Sequence, residues 1–347
     1  MAAVACIYLL FRRANAFAPD ITPPARLRRW TAAFFAIMSL GHLWYLPAAV
    51  LTSPDAIMLS MLIGGLLDCL TTIPVAIIIL FCMLQDRRRP LWPAFAIMAP
   101  TVALMLISIV NRNYSMVSMI RFYMLFLGFA LVIYMMFAVR QYGRWLRDNY
   151  ADLEHKEVWQ SFLVLAAILL VFGIYVSGFG GMAYEYIVQV CGLFLIFYLL
   201  WRVETLKELT VTPEDEEIEI DPSIEDFSET DSDEIGQLLQ QHCVSTQLYL
   251  QHDLSVADLA RAIGTNRSYL SQYFSRKNTT YNTYINNLRI DHFVNLYREA
   301  TTAQRSFTAQ QLASDSGYRS YSTFSLAFKQ RMGQTVTAWM RKTFSID

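Results

Sequence analysis

Charge is scarce in this sequence. Asp, Glu, Lys and Arg make up 16% of the 347 residues, against about a quarter in an ordinary soluble domain. The shortage is local. Before residue 203 long apolar runs are interrupted by few charges, and beyond it acids and bases return in blocks. That distribution excludes a single soluble globule and fits a membrane-type segment followed by a polar one. Cysteine is sparse too. Cys6, Cys69, Cys82, Cys191 and Cys243 are scattered, with no CxxC and no His/Cys cluster. A disulfide framework and a zinc ribbon are therefore excluded, and the cysteines read as reduced thiols, four of them in or near the bilayer. The catalytic patterns HExxH, GxSxG and GxxxxGKS/T are missing, and no histidine stands beside a kinase-like glycine-rich loop. The sequence points to no enzyme, no catalytic residue, no metal ligand and no cofactor.

What is present before residue 203 is a series of apolar spans. Six run over about 31–51, 56–84, 91–111, 117–139, 158–177 and 184–202. The first eleven residues, MAAVACIYLLF, are apolar but short of the ~20 that a spanning helix needs. No basic run precedes them and no small-residue cleavage site comes after, so a signal peptide is disfavoured. The expectation is a first transmembrane helix, short or truncated at Met1, making about seven in all. No internal repeat or broken helix is evident among the spans, which speaks against a transporter.

The connectors give an orientation. Three of them carry twelve Lys and Arg: Arg12, Arg13, Arg26, Arg28 and Arg29; Arg87, Arg88 and Arg89; Arg140, Arg144, Arg147 and Lys156. The alternate connectors carry Arg112 alone. Lys and Arg are retained on the cytoplasmic side, so the basic set is expected inside, the N-terminus outside and the end of the last span inside. Polar residues within the spans are few. Asp68 and Arg121 lie toward the outer ends of their helices and are read as a structural ion pair or the lining of a sensing pocket. His42 is read as an interhelical hydrogen-bonding residue.

Residues 211–234 carry twelve acids and no base, with Pro213 and Pro222. So charged a stretch cannot bury enough apolar surface to fold, and 204–235 is expected to be a disordered tether. It also has the charge to compete with DNA for the basic segment after it. Residues 247–347 reverse the sign, with twelve Lys and Arg against six Asp and Glu.

That basic segment repeats itself. Ser255-Val-Ala-Asp258-Leu259-Ala260-Arg-Ala-Ile263-Gly264 is answered by Thr308-Ala-Gln-Gln311-Leu312-Ala313-Ser-Asp-Ser316-Gly317, at an offset of 53 residues. Ser255 with Asp258, and Thr308 with Gln311, read as helix-starting capping boxes. The alanine after each leucine lets a second helix cross closely, and each glycine suits a turn at positive φ. Asn266 reads as the N-cap of a second helix that runs to about Lys277. Anchors recur at Leu270/Phe274 and Phe324/Phe328, now at an offset of 54, so the second turn has gained a residue. A lead-in helix is expected near 236–252. A long connecting helix is expected over 283–299, with Ile285, Leu288, Val294 (or Phe293) and Tyr297 on one stripe. Two capped helix-glycine-helix units are two helix-turn-helix motifs, whose second helices read DNA in the major groove.

On these residues the segment resembles the DNA-binding domain of the AraC/XylS transcription regulators. The resemblance rests on Leu259-Ala260 to Gly264, Ser268-Tyr269-Leu270-Ser271 to Phe274, Leu288-Arg289-Ile290, Leu312-Ala313 to Gly317-Tyr318, Phe324-Ser325 to Phe328-Lys329, and Gly333-Gln-Thr-Val336. Val336 stands where the family usually has proline, and Leu326 where it often has arginine. After Lys277 the usual glycine is missing, with Asn278 as a tolerant substitute. The resemblance implies base contacts from Arg267, Ser268, Ser271 and Gln272 in the first unit, and from Arg319, Tyr321, Ser322 and Thr323 in the second. Arg276, Lys277, Lys329 and Arg331 are expected at phosphates, and Arg289 is expected to be structural.

The fold expected is all-α: a polytopic transmembrane bundle over 1–203, the acidic tether 204–235, and a cytoplasmic tandem helix-turn-helix domain over 236–347. The expected function is a membrane-bound one-component transcription regulator in a bacterial inner membrane. Its expected partners are double-stranded DNA, the lipid bilayer, a second copy in a homodimer, and an unknown small-molecule or membrane-borne signal. The alternative is a membrane receptor or scaffold whose helix-turn-helix module binds a protein.

Overall fold

Pro74 and Pro100 fall inside apolar runs that would otherwise be uninterrupted helices. Proline has no N–H to give to the carbonyl four residues back and crowds it sterically. The computed structural model shows the consequence. It describes residues 1–176, 182–209 and 229–344; most of the acidic tether and the side chain of His42 lie outside the described residues. These fall into two compact units, Met1–Tyr142 with His155–Val211 and Gly143–Glu154 with Thr212–Asp347.

The first unit contains α1 (Ala2–Phe11), α2 (Ala25–Val50), α3 (Pro54–Leu70), α4 (Thr72–Met83), α5 (Trp92–Ala96), α6 (Ala99–Asn111), α8 (Trp159–Val176) and α9 (Met182–Thr205). It also holds most of α7 (Val117–Asn149), which passes into the second unit at Gly143. Five stretches are long and apolar enough to cross a membrane: Ala25–Val50, Pro54–Met83, Trp92–Asn111, Tyr114–Asn149 and Tyr186–Thr205. Ala2–Phe11 and Trp159–Ile168 are apolar but shorter. The expectation of unbroken spans is corrected here. The second stretch breaks at Thr71 (φ −125°, ψ −70°), where Pro74 leaves the Leu70 carbonyl without its helical donor. The third breaks between Ala96 and Ala99, with Pro100 in the new first turn.

Asp68 sits one turn before the break. Its carboxylate accepts from the Tyr45 hydroxyl at 2.6 Å and from the Thr72 hydroxyl at 2.8 Å. The Tyr45 ring reaches it across Gly64, where a Cβ would lie 2.5 Å from that ring. No described ion pair joins Asp68 to Arg121, which is exposed.

The connectors of this unit sort themselves. Arg12 pairs with Glu204 at 2.9 Å, both buried, and Asn15 donates to the Glu204 carbonyl. Arg26 donates to the Arg89 carbonyl, Gln85 to that of Lys207, and Tyr142 to that of Lys156. The Lys207 N–H donates to the His155 carbonyl. The basic connectors and the end of α9 are thus tied together. Separately, Asp55 takes bonds from Arg112 at 2.6 Å and Tyr114 at 2.7 Å, joining two of the alternate connectors to each other.

The second unit contains α10 (Glu229–Leu239), a π turn at Gln240–Val244 and a 3-10 turn at Leu248–Leu250. Next come α11 (Val256–Ile263), α12 (Arg267–Arg276), α13 (Tyr281–Thr302), α14 (Ala309–Asp315), α15 (Tyr321–Met332) and α16 (Val336–Phe344). Two apolar cores lie along α13. Tyr281 and Ile285 enter the first with Leu239, Leu259, Leu270 and Phe274. Ile290, Phe293 and Tyr297 enter the second with Leu312, Phe324 and Phe328. Phe293 rather than Val294 is the fully buried member of the stripe. Ala151, from the segment after α7, belongs to the first core.

Candidate nucleic-acid interface

Each half of the second unit is a short capped helix, a tight turn, and a second capped helix. At the start of α11 the Ser255 hydroxyl accepts from the Asp258 N–H at 3.2 Å, and the Asp258 carboxylate accepts from the Ser255 N–H at 3.3 Å. Both arms of the box are made. Gly264 ends the helix in the left-handed region (φ 74°), and Asn266 caps α12 by accepting from the Tyr269 N–H at 2.8 Å. Asn278, in the place of the usual glycine, is also left-handed (φ 49°).

The second half differs in two details. Thr308 accepts from the Gln311 N–H at 3.1 Å, but the return bond from Gln311 is not among those made. The expected box is therefore half a box. After Gly317 (φ 87°) the residue that starts α15 is Ser320, which accepts from the Thr323 N–H at 3.3 Å. Ser320 is the counterpart of Asn266 at the offset of 54, the same offset that relates the apolar anchors of the two halves.

The two halves are locked together. A Cβ on Gly317 would lie 2.8 Å from the Cα and the carbonyl oxygen of Leu250. His252 meets the Gly317 carbonyl at 3.1 Å. Arg289 on α13 is 1% exposed. It donates to the carbonyls of Tyr249 (2.7 Å) and Gln251 (2.8 Å), and its guanidinium lies over the Tyr318 ring at 5.5 Å. Burial pulls the Arg289 pKa down and pushes those of Tyr318 and Tyr281 up. Burial also lowers His292 below the usual histidine value and pushes the Cys243 thiol to about 11. Cys243 and Tyr281 are residues of the first core and Tyr318 of the second.

The residues expected to read bases divide by half. On α12 Leu270 and Phe274 are buried, Ser271 is exposed, and Arg267, Ser268 and Gln272 are half-buried at the helix edges. Arg276 and Lys277 are exposed at its end, Lys277 with its ammonium 5.9 Å from the Tyr273 ring centre. On the second half Tyr321 and Ser322 are exposed and Thr323 is half-buried. Here the structure adds partners that no spacing in the sequence signals. Arg319 pairs with Asp253 at 3.2 Å. The Thr323 hydroxyl donates to the Glu154 carboxylate at 3.3 Å. Arg331 donates to the Asn287 carbonyl and pairs with Asp291 at 2.7 Å, while Lys329 is exposed. Leu326, in the middle of α15, is 61% exposed.

Residues 259–342 match the family of helix-turn-helix domains. They form an AraC-type helix-turn-helix domain. No curated protein and no solved structure matches the chain. The AraC-type domain identifies the C-terminal part as the DNA-binding part of a transcription regulator. Its matched span begins at the buried Leu259 of α11 and ends in α16, so the last part of α11 and all of α12 to α15 fall inside it. The lead-in turns that supply Tyr249, Gln251 and Asp253 lie just before it, yet they hold Arg289 and Arg319.

Proposed function

We propose that the chain is a membrane-bound one-component transcription regulator in which both helix pairs of the AraC-type domain meet DNA. The observation that carries this reading is the likeness of the two pairs within one locked body, each with a capped second helix presenting a polar edge. Arg267, Ser268, Ser271 and Gln272 are the proposed base contacts of α12. Gln suits adenine, Arg suits guanine, and Ser serves either. Arg319, Tyr321, Ser322 and Thr323 are the corresponding set of the second half. Arg276, Lys277, Lys329 and Arg331 hold phosphates, which fixes register and gives a salt-dependent affinity.

The first unit is proposed to be the input. Five apolar stretches long enough to cross a membrane support a place in a lipid bilayer, a bacterial inner membrane in this reading, with the basic connectors on the cytoplasmic side. Support comes from the hydrogen bonds that tie those connectors to one another and join two of the alternate ones separately. The polar cluster of Tyr45, Asp68 and Thr72 beside the broken span is the proposed place where a signal acts. Signalling would change the position of the DNA-binding domain or its pairing with a second copy.

The test is selection from random duplexes by the full-length protein in lipid nanodiscs, at two salt concentrations. A motif with two half-sites about one helical turn apart is expected. Arg267→Ala and Gln272→Ala should each weaken binding by about 1–3 kcal/mol and relax preference at one base. Unchanged binding by both variants to every sequence would remove α12 as a reading helix. One observation favours a second reading, in which the second pair binds a protein. Leu326 and Tyr321 present apolar surface where a DNA reader would carry charge. Selection of a single half-site, with all specificity in α12, would support it.

A further inference from the structure

The DNA-binding unit includes a piece of chain from far upstream. Tyr150, the residue after α7, forms an antiparallel bridge with Ser255. The Ala151 N–H donates to the Leu254 carbonyl at 3.3 Å, and the Asn282 side chain donates to the carbonyls of Tyr150 (3.1 Å) and Ala151 (2.7 Å). Asn286 adds a bond to the Ala151 carbonyl, and the Ala151 methyl is buried in the first core. The short extended run 150–151 is therefore held by its backbone on an edge built from Leu254, Ser255, Asn282 and Asn286. Backbone capture by an exposed edge is a general way to bind an extended peptide.

The residues just beyond this captured pair bear on function. Asp152 accepts from the Glu154 N–H at 3.0 Å, a local turn that sets the direction of Glu154. The Glu154 carboxylate then accepts from the Thr323 hydroxyl in the first turn of α15. A helix N-terminus favours an anion, and the first turn of a reading helix is where the duplex is met. A carboxylate already in that position competes with it in both space and charge. The neighbouring Arg319 is similarly held by Asp253. Two members of the second reading set are thus bonded to acids of the same chain.

We propose that Tyr150–Glu154 is an intramolecular ligand of the DNA-binding domain that occupies the reading end of α15 and is displaced when DNA binds. This rests on the reading that α15 meets DNA. Because Tyr150 comes directly after α7, a shift of that helix pulls on the captured residues and passes the state of the membrane unit to the second helix pair.

The test uses the full-length protein in nanodiscs and two independent readouts. Hydrogen exchange follows the Ala151 amide, and duplex binding is measured for wild type, Glu154→Gln and Asn282→Ala. The expected result is protection of Ala151 without DNA and its loss when DNA is bound. Glu154→Gln should bind DNA roughly two- to fivefold tighter, as removing one partly exposed charge interaction allows. Asn282→Ala should lose Ala151 protection and bind at least as tightly as Glu154→Gln. Should Asn282→Ala lose protection throughout α13 as well, it is misfolded and Glu154→Gln decides alone. DNA binding with Ala151 still protected, and with no gain in Glu154→Gln, overturns the proposal and leaves the regulator reading intact. Binding by neither wild type nor the two variants overturns both.

Discussion

Arg289 is the residue on which the two halves of the DNA-binding unit most visibly depend. A charged side chain that is almost fully buried must recover its lost hydration from fixed acceptors. Here the acceptors are two backbone carbonyls in the lead-in turns and the face of Tyr318 in the second half. The planar guanidinium can reach both carbonyls at once; a lysine ammonium is a point charge on a flexible stem. Arg289→Met should cost about 2–4 kcal/mol, the worth of charged hydrogen bonds lost together with the acceptors left bare. Arg289→Lys should recover little of it. Amide exchange across α13 would measure both, and full protection in the lysine variant would refute the two-carbonyl account. Gly317 and Gly264 make a second residue-scale comparison. Both have positive φ, so alanine is strained at either by about 1–2 kcal/mol. At Gly264 a Cβ meets nothing within 4 Å, whereas at Gly317 it meets the Leu250 backbone at 2.8 Å. Gly317→Ala should therefore destabilise clearly more than Gly264→Ala, and equal melting shifts would mean that Leu250 yields freely.

At the scale of elements the two first helices differ in how firmly they start. α11 has both arms of its capping box, and α14 has one. Ser255→Ala should cost about 1 kcal/mol, and Thr308→Ala less, read from exchange at the amides of Asp258 and Gln311. A larger loss at Thr308 would show that the static difference does not matter. These starts are legible in the sequence because caps are local: a hydroxyl, an acid three residues on, and an apolar period fix the helix beginning within one turn. The stripe of α13 is legible for the same reason, apart from Phe293, whose burial is decided by what packs on it. The breaks at Thr71 and at residues 97–98 are signalled by Pro74 and Pro100 alone, because a hydropathy run carries no mark of where the backbone bonds end. Glu154 against Thr323, 169 residues apart, leaves no local trace at all. Pairings of that kind arise only when the chain is folded, and they alter the picture of the second reading helix most.

For the molecule as a whole the decisive question is which side of the membrane each connector occupies. Charge alone separates twelve Lys and Arg in one set from a single Arg112 in the other. The hydrogen bonds make the same division from geometry, since Arg12, Arg26, Gln85, His155 and Lys207 join connectors of one set and Asp55 joins members of the other. The two lines are independent, because nothing in a charge tally requires Arg12 to pair with Glu204. Both agree with the proposed arrangement, in which residues 85–89 lie inside, residues 53–55 outside, and the AraC-type domain on the side of the DNA. Single cysteines at Arg87 and Ser53, in a protein whose five native cysteines are replaced by alanine, test it with a membrane-impermeant maleimide on intact cells. Ser53→Cys should label at once and Arg87→Cys only after the cells are opened. The reverse pattern would put the DNA-binding domain outside and end the regulator reading. Labelling of both in intact cells would show that the basic loop is reached from outside and that the positive-inside rule does not govern this chain.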